Sequence, residues 1–198
     1  MANGAGAHSE GQHTLADAAG THAEGIGTHA LGEASHAEGQ YTTADSKGAH
    51  AEGSYVADGN NNPVARTTKY YKSTPEGVDV TVDGGTLAYN KGSHAEGIRT
   101  FAGHEGAHSE GIDTDAVGEA SHAEGYQTVA RGTNAHAEGN NTTAKGGASH
   151  AEGAWTHAEG EYSHAEGGSS HAAGSYSHAE GHQTYVDAHG GHAEGTDI

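Results

Sequence analysis

Histidine and glutamate recur together in this chain, in the tetrapeptide His-Ala/Ser-Glu-Gly that occurs thirteen times. An imidazole and a carboxylate two residues apart can form a hydrogen-bonded pair, supply ligands to a transition metal, or titrate together near neutral pH. We favour a structural hydrogen-bond network, because it is sufficient to explain why the pair is repeated. A metal site and a pH switch are the alternatives. In the switch, glutamate would raise the histidine pKa, so the stabilisation would be present below about pH 6.5 and lost as the pH rises through the folded-state pKa.

The spacing of these histidines defines a repeat. They fall 14 residues apart from His8 to His50 and again from His94 to His150, after which the step falls to seven. Each unit has a His-Ala-Glu-Gly half and a half that reads Thr-x-Ala-x-Gly, as in Thr128–Gly132. Such regularity is typical of a stacked architecture built from short strands and glycine-containing turns. A coiled coil is excluded because glycine fills one heptad position and no position is consistently apolar.

Alternation along the strands predicts which side chains face the interior. The x positions of the Thr-x-Ala-x-Gly half hold residues as different as Phe101, Asp115, Val117, Val129 and Arg131, so we expect them to face solvent. Thr, Ala and Gly of that half must then fill a narrow interior, while His and Glu of the other half point outward. The predicted fold is an all-β parallel β-roll, a solenoid of 14-residue repeats.

The outward His/Glu pair is nearly invariant within the chain, whereas the outward positions of the opposite strand vary. Such uniformity predicts a neighbouring copy of the same face, with three chains packed around a three-fold axis. An interior of small residues also buries too little apolar surface for one roll to be stable alone, which independently favours a homotrimer. The residues predicted to form the trimer interface are His8, Glu10, His22, Glu24, His36, Glu38, His50, Glu52, His94, Glu96, His108, Glu110, His122, Glu124, His136, Glu138, His150, Glu152, His164, Glu166, His178, Glu180, His192 and Glu194.

Cofactor expectations follow from the same residues. The chain has no cysteine, which excludes disulfides and thiolate metal sites. It also has no short His-x-His pair among the repeats, so we assign no metal site and expect no cofactor. A transition metal held on the three-fold axis by symmetry-related interface histidines is the one alternative that we keep.

The repeats resemble the YadA-like head repeats, or Hep/Hag repeats, of trimeric autotransporter adhesins and related repeats of phage tail fibres. The run Ser121–Ala130 carries the resemblance, which covers residues 7–56 and 93–198. The resemblance implies that the roll is left-handed and that it trimerises into a rod. This chain departs from the family pattern in having His and Glu where the family often has two aliphatic residues.

The repeat is interrupted in the first half of the chain. We divide the sequence into N-terminal β-roll repeats at residues 1–56, a non-repeat β excursion at residues 57–92, and C-terminal β-roll repeats at residues 93–198. Within the excursion, Val78–Val82 alternates like a strand and is followed by the turn signal Asp83-Gly84-Gly85.

The excursion also holds candidate partner contacts. Lys69, Tyr70, Tyr71 and Lys72 are the residues that we expect to bind a partner if the excursion has one, because aromatic and basic side chains are common at contacts. An inert loop, or an arm that clasps the adjacent chain, is the interpretation that we favour.

Where the step falls to seven, both faces of the roll carry histidine. His157 and His171 then lie on the solvent side, as His29 does earlier, and Tyr162 and Tyr176 lie near them. This pattern predicts an exposed His/Tyr stripe. We favour a drifted copy of the half-repeat over a binding surface as its explanation.

Composition and repetition together limit the function. A formal net charge of −19 opposes binding to nucleic acid, and no apolar run is long enough to insert into a membrane. Ser, His and acidic residues are abundant only because the repeat multiplies them, so we do not expect an enzyme. We expect a structural and adhesive trimeric surface fibre segment, either an adhesin head or a phage-type tail fibre, that is extracellular, on a cell surface or on a virion tail, and attaches to an unknown cell-surface ligand. The alternative is a metal- or pH-responsive binding module that uses the His/Glu ladder at the trimer interface.

Overall fold

The computed structural model describes residues 1–55, 57, 66–70, 78–82 and 85–197, and these residues form an all-β parallel solenoid of about 12 turns. The five-residue strands are β1 (His8–Gln12), β3 (His22–Ile26), β5 (His36–Gln40), β7 (His50–Ser54), β8 (Arg66–Tyr70), β9 (Val78–Val82), β11 (His94–Ile98), β13 (His108–Ile112), β15 (His122–Tyr126), β17 (His136–Asn140), β19 (His150–Ala154), β21 (His164–Gly168), β23 (His178–His182) and β25 (His192–Thr196). The two-residue strands are β2 (Leu15–Ala16), β4 (His29–Ala30), β6 (Thr43–Ala44), β10 (Leu87–Ala88), β12 (Phe101–Ala102), β14 (Asp115–Ala116), β16 (Val129–Ala130), β18 (Thr143–Ala144), β20 (His157–Ala158), β22 (His171–Ala172) and β24 (Tyr185–Val186).

Two parallel sheets form the walls of the roll. The five-residue strands other than β8 and β9 form a 12-stranded sheet, which we call the long-strand sheet, and the two-residue strands form an 11-stranded short-strand sheet. Each residue pairs with its equivalent one turn later, so His122 lies opposite His136 and Glu124 opposite Glu138. The period of 14 residues thus becomes a set of columns, a column being the residues at one position in successive turns. The predicted solenoid of 14-residue repeats is confirmed.

Small side chains fill the interior between the two sheets. Ala123 of the long-strand sheet and Ala130 of the short-strand sheet are fully buried, as is Thr128 between them. Ser121 is buried as well, and its hydroxyl donates a hydrogen bond of 2.7 Å to the Gly118 carbonyl. The predicted orientation is therefore confirmed, with Thr and Ala inside and with His and Glu on the outer face.

Glycine is required at the end of the tetrapeptide by close approach of the backbones. Gly125 has a φ of +108°, and a Cβ built on it would lie 2.2 Å from the Gly139 carbonyl oxygen of the next turn. A side chain would therefore strain the residue's own backbone and also collide with a neighbouring strand. The invariance of this glycine is explained by geometry inside the chain.

The roll continues across the interruption in the repeat. Strand β7 pairs directly with β11, and β6 pairs with β10, so the chain leaves the roll after β7 and returns before β10. Because β10 belongs to the short-strand sheet, the roll resumes inside the segment 57–92 that the sequence analysis treated as non-repeat. Strands β8 and β9 form an antiparallel pair, which confirms the predicted strand Val78–Val82.

The candidate partner contacts of the excursion stay a prediction. Lys69 and Tyr70 lie in β8, of which the structure describes the backbone pairing alone. Tyr71 and Lys72 lie outside the described residues, as does most of the predicted turn at Asp83-Gly84-Gly85.

The expectation that all outward positions of the short strands face solvent is wrong for four residues. Phe101 and Val117 are 0% and 1% exposed, Asp115 is 8% exposed, and Gly103 is buried as well. Phe101 and Val117 form a second apolar cluster, against which Leu87 and Tyr89 pack. The cluster joins two columns, since Leu87 pairs with Phe101 in one column whereas Tyr89 and Val117 lie in another. Alternation along a single strand does not reveal such contacts. Arg131 is exposed, as predicted.

Candidate functional site

The twelve histidines that begin the strands of the long-strand sheet form one column along its outer face, which we call the histidine column. Ring centroids of neighbours lie 4.6–5.0 Å apart. This distance is the spacing of adjacent strands, about 4.7–4.9 Å, so the in-register backbone positions the rings. Most neighbours are parallel, whereas His178 and His192 at the C-terminal end meet edge to face.

Glutamate side chains run beside the histidine column. The Nε2 atom of each histidine lies 3.3–4.0 Å from the Oε2 atom of the glutamate two residues later. Two of these contacts, His22 with Glu24 and His36 with Glu38, are hydrogen bonds of 3.3 Å. The structure therefore brings the predicted interface residues onto one face. Among the described residues of one chain, the predicted hydrogen bonds between histidine and glutamate form in these two turns.

Eight other histidines of the column have a polar atom without a hydrogen-bond partner. Among the described residues of the column, Nε2 is buried without a hydrogen bond in His50, His94, His108, His122, His136, His150, His164 and His178. The side chains as a whole stay about one third exposed, as in His122 at 36%, so the burial comes from the stacked rings above and below. A buried polar atom without a partner is unfavourable by about 1–3 kcal/mol. This face of a single chain is therefore incompletely satisfied.

Burial lowers the pKa of several histidines in the column. The pKa values of His50, His94, His122 and His150 lie below the usual value, first because of desolvation and second because adjacent histidines repel a positive charge. The glutamates act in the opposite direction but are outweighed. The expectation that glutamate would leave these histidines with a raised pKa is therefore wrong, and the lowered pKa values predict a pH response of the opposite sign.

The column also contains four overlapping groups that have the residue types of a metal site. The first comprises His122, Glu124 and His136, whose ligating atoms all lie within 4.8 Å of one another. Equivalent groups begin at His136, His150 and His164. Imidazole and carboxylate together suit divalent transition metals such as zinc or nickel.

The predicted His/Tyr stripe is instead two separate rows. His157 and His171 lie on the outer face of the short-strand sheet, where Tyr185 packs edge-on against His171 at 5.2 Å. Tyr162 and Tyr176 lie at the corner that leads into the next long strand, and their rings stack 5.0 Å apart. The prediction of a single exposed stripe is therefore wrong, because the half-repeat places the two histidines and the two tyrosines at different positions of the turn. His29 is exposed, as predicted.

Comparison with known proteins adds no relative. Neither the models of known protein families nor the curated proteins match this chain. The resemblance to YadA-like head repeats therefore stays a prediction. Among the described residues, no helix is long and apolar enough to cross a membrane.

Proposed function

We propose that this chain is a structural segment of a homotrimeric surface fibre, in which three left-handed rolls pack their histidine columns around a common axis. The observation that carries the proposal is the uniformity of a half-exposed face. Exposed positions elsewhere in the chain vary from turn to turn, whereas His and Glu repeat in every turn of the long-strand sheet. A fibre of this kind, an adhesin head or a phage-type tail fibre, would act outside the cell and attach to a cell surface.

The half-exposed side chains support association through this face, since histidine and glutamate in the inner turns stay about one third to one half exposed. A carboxylate from a neighbouring chain could accept a hydrogen bond from the exposed part of an imidazole, and the charge-assisted bond would be stronger than a neutral one. The same contact would repeat about every 4.8 Å along the roll, so many weak contacts would act together. We propose no catalytic role, since the same pair recurs in every turn and no turn is set apart as a reaction site.

Native mass spectrometry in the presence of a chelator tests the assembly. We expect a species near 60 kDa, three times the 19.9 kDa of one chain. The variant with Glu124→Lys and Glu138→Lys should dissociate, because it places positive charge beside the histidines of the face. A matched variant with Glu119→Lys and Asp187→Lys changes exposed carboxylates away from the column and should stay trimeric. A stable wild-type monomer would contradict the proposal.

Metal binding along the same column is the second candidate function. The Nε2–Oε2 distances of 3.4 Å at His122–Glu124 and 3.5 Å at His136–Glu138 favour it. Two ligands of a tetrahedral zinc ion, each at about 2.0–2.1 Å, lie about 3.3 Å apart. The histidine of the next turn would supply a third ligand.

Isothermal titration of chelator-treated protein with zinc and nickel tests the second candidate. We expect binding that is reduced at least tenfold in the variant with His136→Asn and His164→Asn, which together remove a ligand from all four groups. A control variant with His13→Asn and His29→Asn removes exposed histidines outside the column and should bind like the wild type. Absence of binding, or equal loss in both variants, would exclude the column as a metal site.

A further inference from the structure

One corner of the roll contains a notch of about 200 Å³, which we call the tyrosine notch. It is lined by Thr133, Asn134, Gly147, Ala148, Glu161 and Tyr162. The notch follows from the sequence of three successive turns. The Ala148 amide donates a hydrogen bond to the Thr133 carbonyl, and the Tyr162 amide donates one to the Gly147 carbonyl, so the three corners lie directly above one another. The small pair Gly147–Ala148 leaves an opening one turn high between larger neighbours.

The ring of Tyr162 forms one wall of this opening. On the side of the next turn, the ring stacks against Tyr176 with a centroid distance of 5.0 Å and an angle of 16°. Gly147 and Ala148 lie one turn in the other direction, so the second face of the Tyr162 ring is turned to the notch. The column that contains Ala148, Tyr162 and Tyr176 therefore holds two stacked rings and, next to them, a gap about as high as one more ring.

The choice of tyrosine at this corner is unfavourable for the isolated fold. Tyr162 and Tyr176 have φ values of 56° and 58°, in the left-handed region, and their side chains are 57% and 59% exposed. Other turns have Gly, Ala or Asn at this position, as at Gly106 and Ala120. Glycine adopts this conformation without strain, and an exposed aromatic ring gains little from burial. The two exposed rings are therefore available to contact a ligand outside the fold.

We propose that the tyrosine notch binds one neutral pyranose ring of a cell-surface glycan. The flat apolar face of the sugar would lie on Tyr162 and occupy the missing place in the column. Its hydroxyls would donate to the Glu161 carboxylate and accept from the Asn134 amide and the Thr133 hydroxyl. An apolar wall with a few convergent polar groups is the usual composition of a small-molecule site, and this volume, below the usual range of about 300–1,000 Å³, suits a single ring.

The negative charge of the chain favours a neutral sugar over an acidic one. None of the six lining residues is basic, one is a carboxylate, and the chain carries a formal net charge of −19. An acidic sugar would therefore be repelled, whereas a neutral hexose or N-acetylhexosamine would not. The notch is open to solvent, so the rest of a glycan chain can extend away from the roll.

This inference deepens the proposed function by naming the ligand class of the fibre. A single-ring site of this size would bind weakly. Three copies in one trimer would raise the apparent affinity for a dense glycan layer, provided that the copies can be engaged together.

Saturation-transfer NMR with the methyl glycosides of glucose, galactose, mannose and N-acetylglucosamine tests the notch. We expect saturation transfer to at least one of these sugars, with at least tenfold weaker binding for Tyr162→Ala. Ala148→Tyr should abolish binding by filling the gap, because the same backbone conformation already holds tyrosine at Tyr162 and Tyr176. The control Tyr185→Ala removes a ring that is 55% exposed on the short-strand sheet and should leave binding unchanged.

The outcomes separate this inference from the fibre proposal. No transfer from any of the four sugars, or unchanged transfer in Ala148→Tyr, would overturn the glycan site whatever the mass of the assembly. Transfer to a wild-type monomer, lost in Ala148→Tyr, would support the site while contradicting the trimer. Circular dichroism of each variant confirms that the fold is intact.

Discussion

The imidazole rings of His108 and His122 lie 4.6 Å apart, and their planes are within 2° of parallel. Because the in-register pairing of β13 with β15 positions these rings, every interior histidine of the column has a histidine above and below it. A proton on one ring must therefore reside next to other rings that can also be protonated. This arrangement determines how the roll responds to acid.

Stability should fall as the pH is lowered through the titration of His50, His94, His122 and His150. The pKa of His50 is lowered by desolvation first and by His36 second, while Glu52, Glu96 and Glu38 act to raise it. A histidine whose pKa is lower in the folded state binds more protons after unfolding. The contribution of such a histidine to the free energy of unfolding is therefore fully present above the unfolded pKa of about 6.5. It is lost as the pH falls from that value through the folded-state pKa.

Thermal unfolding between pH 8 and pH 4.5 measures this response. We expect a Tm that is constant above about pH 7 and decreases steadily below about pH 6.5. Replacing His50 by glutamine, which has no proton to gain, should reduce the decrease, whereas His29→Gln at an exposed site should not. A Tm that is flat or that rises on acidification would contradict the lowered pKa values.

Substitution of the tetrapeptide glycine should destabilise the roll strongly. Gly125→Ala would place a Cβ 2.2 Å from the Gly139 carbonyl oxygen, at a φ of +108° that disfavours any side chain. We expect a loss of about 3 kcal/mol or more, from strain and overpacking together. Gly147→Ala is the control, since its Cβ would meet nothing closer than 4.0 Å and its φ is not positive. Urea unfolding of both variants measures the difference, and equal stabilities would show that backbone approach does not explain this glycine.

Phe101 should contribute much more to stability than its position in the repeat suggests. Phe101→Ala removes a fully buried ring that packs with Val117, and we expect a loss of about 3–5 kcal/mol in the free energy of unfolding. Tyr185→Ala is matched, because Tyr185 occupies the same column but is 55% exposed. Denaturant midpoints of the two variants should differ clearly. A small effect of Phe101→Ala would mean that the cluster around Phe101 and Val117 is not a second core.

The sequence is sufficient to predict which residues share a column, but not which outward side chains are buried by their neighbours. Parallel in-register stacking converts a period of 14 into columns, so the interior positions of Ala123 and Thr128 follow directly from alternation. The burial of Phe101 does not, because alternation gives the direction of a side chain and not the neighbours that close over it. The direction of the His50 pKa shift does not follow from the sequence either. It depends on whether desolvation or the nearby carboxylates dominate, and this is decided by distances in the folded chain.

The tyrosine notch does not follow from the sequence pattern of a single turn. Its signal exists in the sequence, in the column Asn134, Ala148, Tyr162 and Tyr176, where a small residue separates larger ones. Tyr162 and His157 are close in sequence but lie at different positions of the turn. A stripe drawn through both of them therefore does not correspond to a column of the roll. Repeats in a solenoid are best compared one turn above another, where their side chains are in contact.

Deletion of residues 55–84 should leave a continuous roll. Strand β7 already pairs with β11, and Gly85 lies directly over Tyr41, since a Cβ built on Gly85 would meet the Tyr41 carbonyl oxygen. Joining Ser54 to Gly85 therefore restores a spacing of 14 between His50 and His94 and reproduces the sequence pattern at Gly27, which precedes Thr28 in the same way. We expect a β-rich circular dichroism spectrum, cooperative unfolding and the same number of chains per assembly as the full chain. An unfolded product would show that the excursion stabilises the roll, and an assembly with fewer chains would support the alternative that it clasps the adjacent chain.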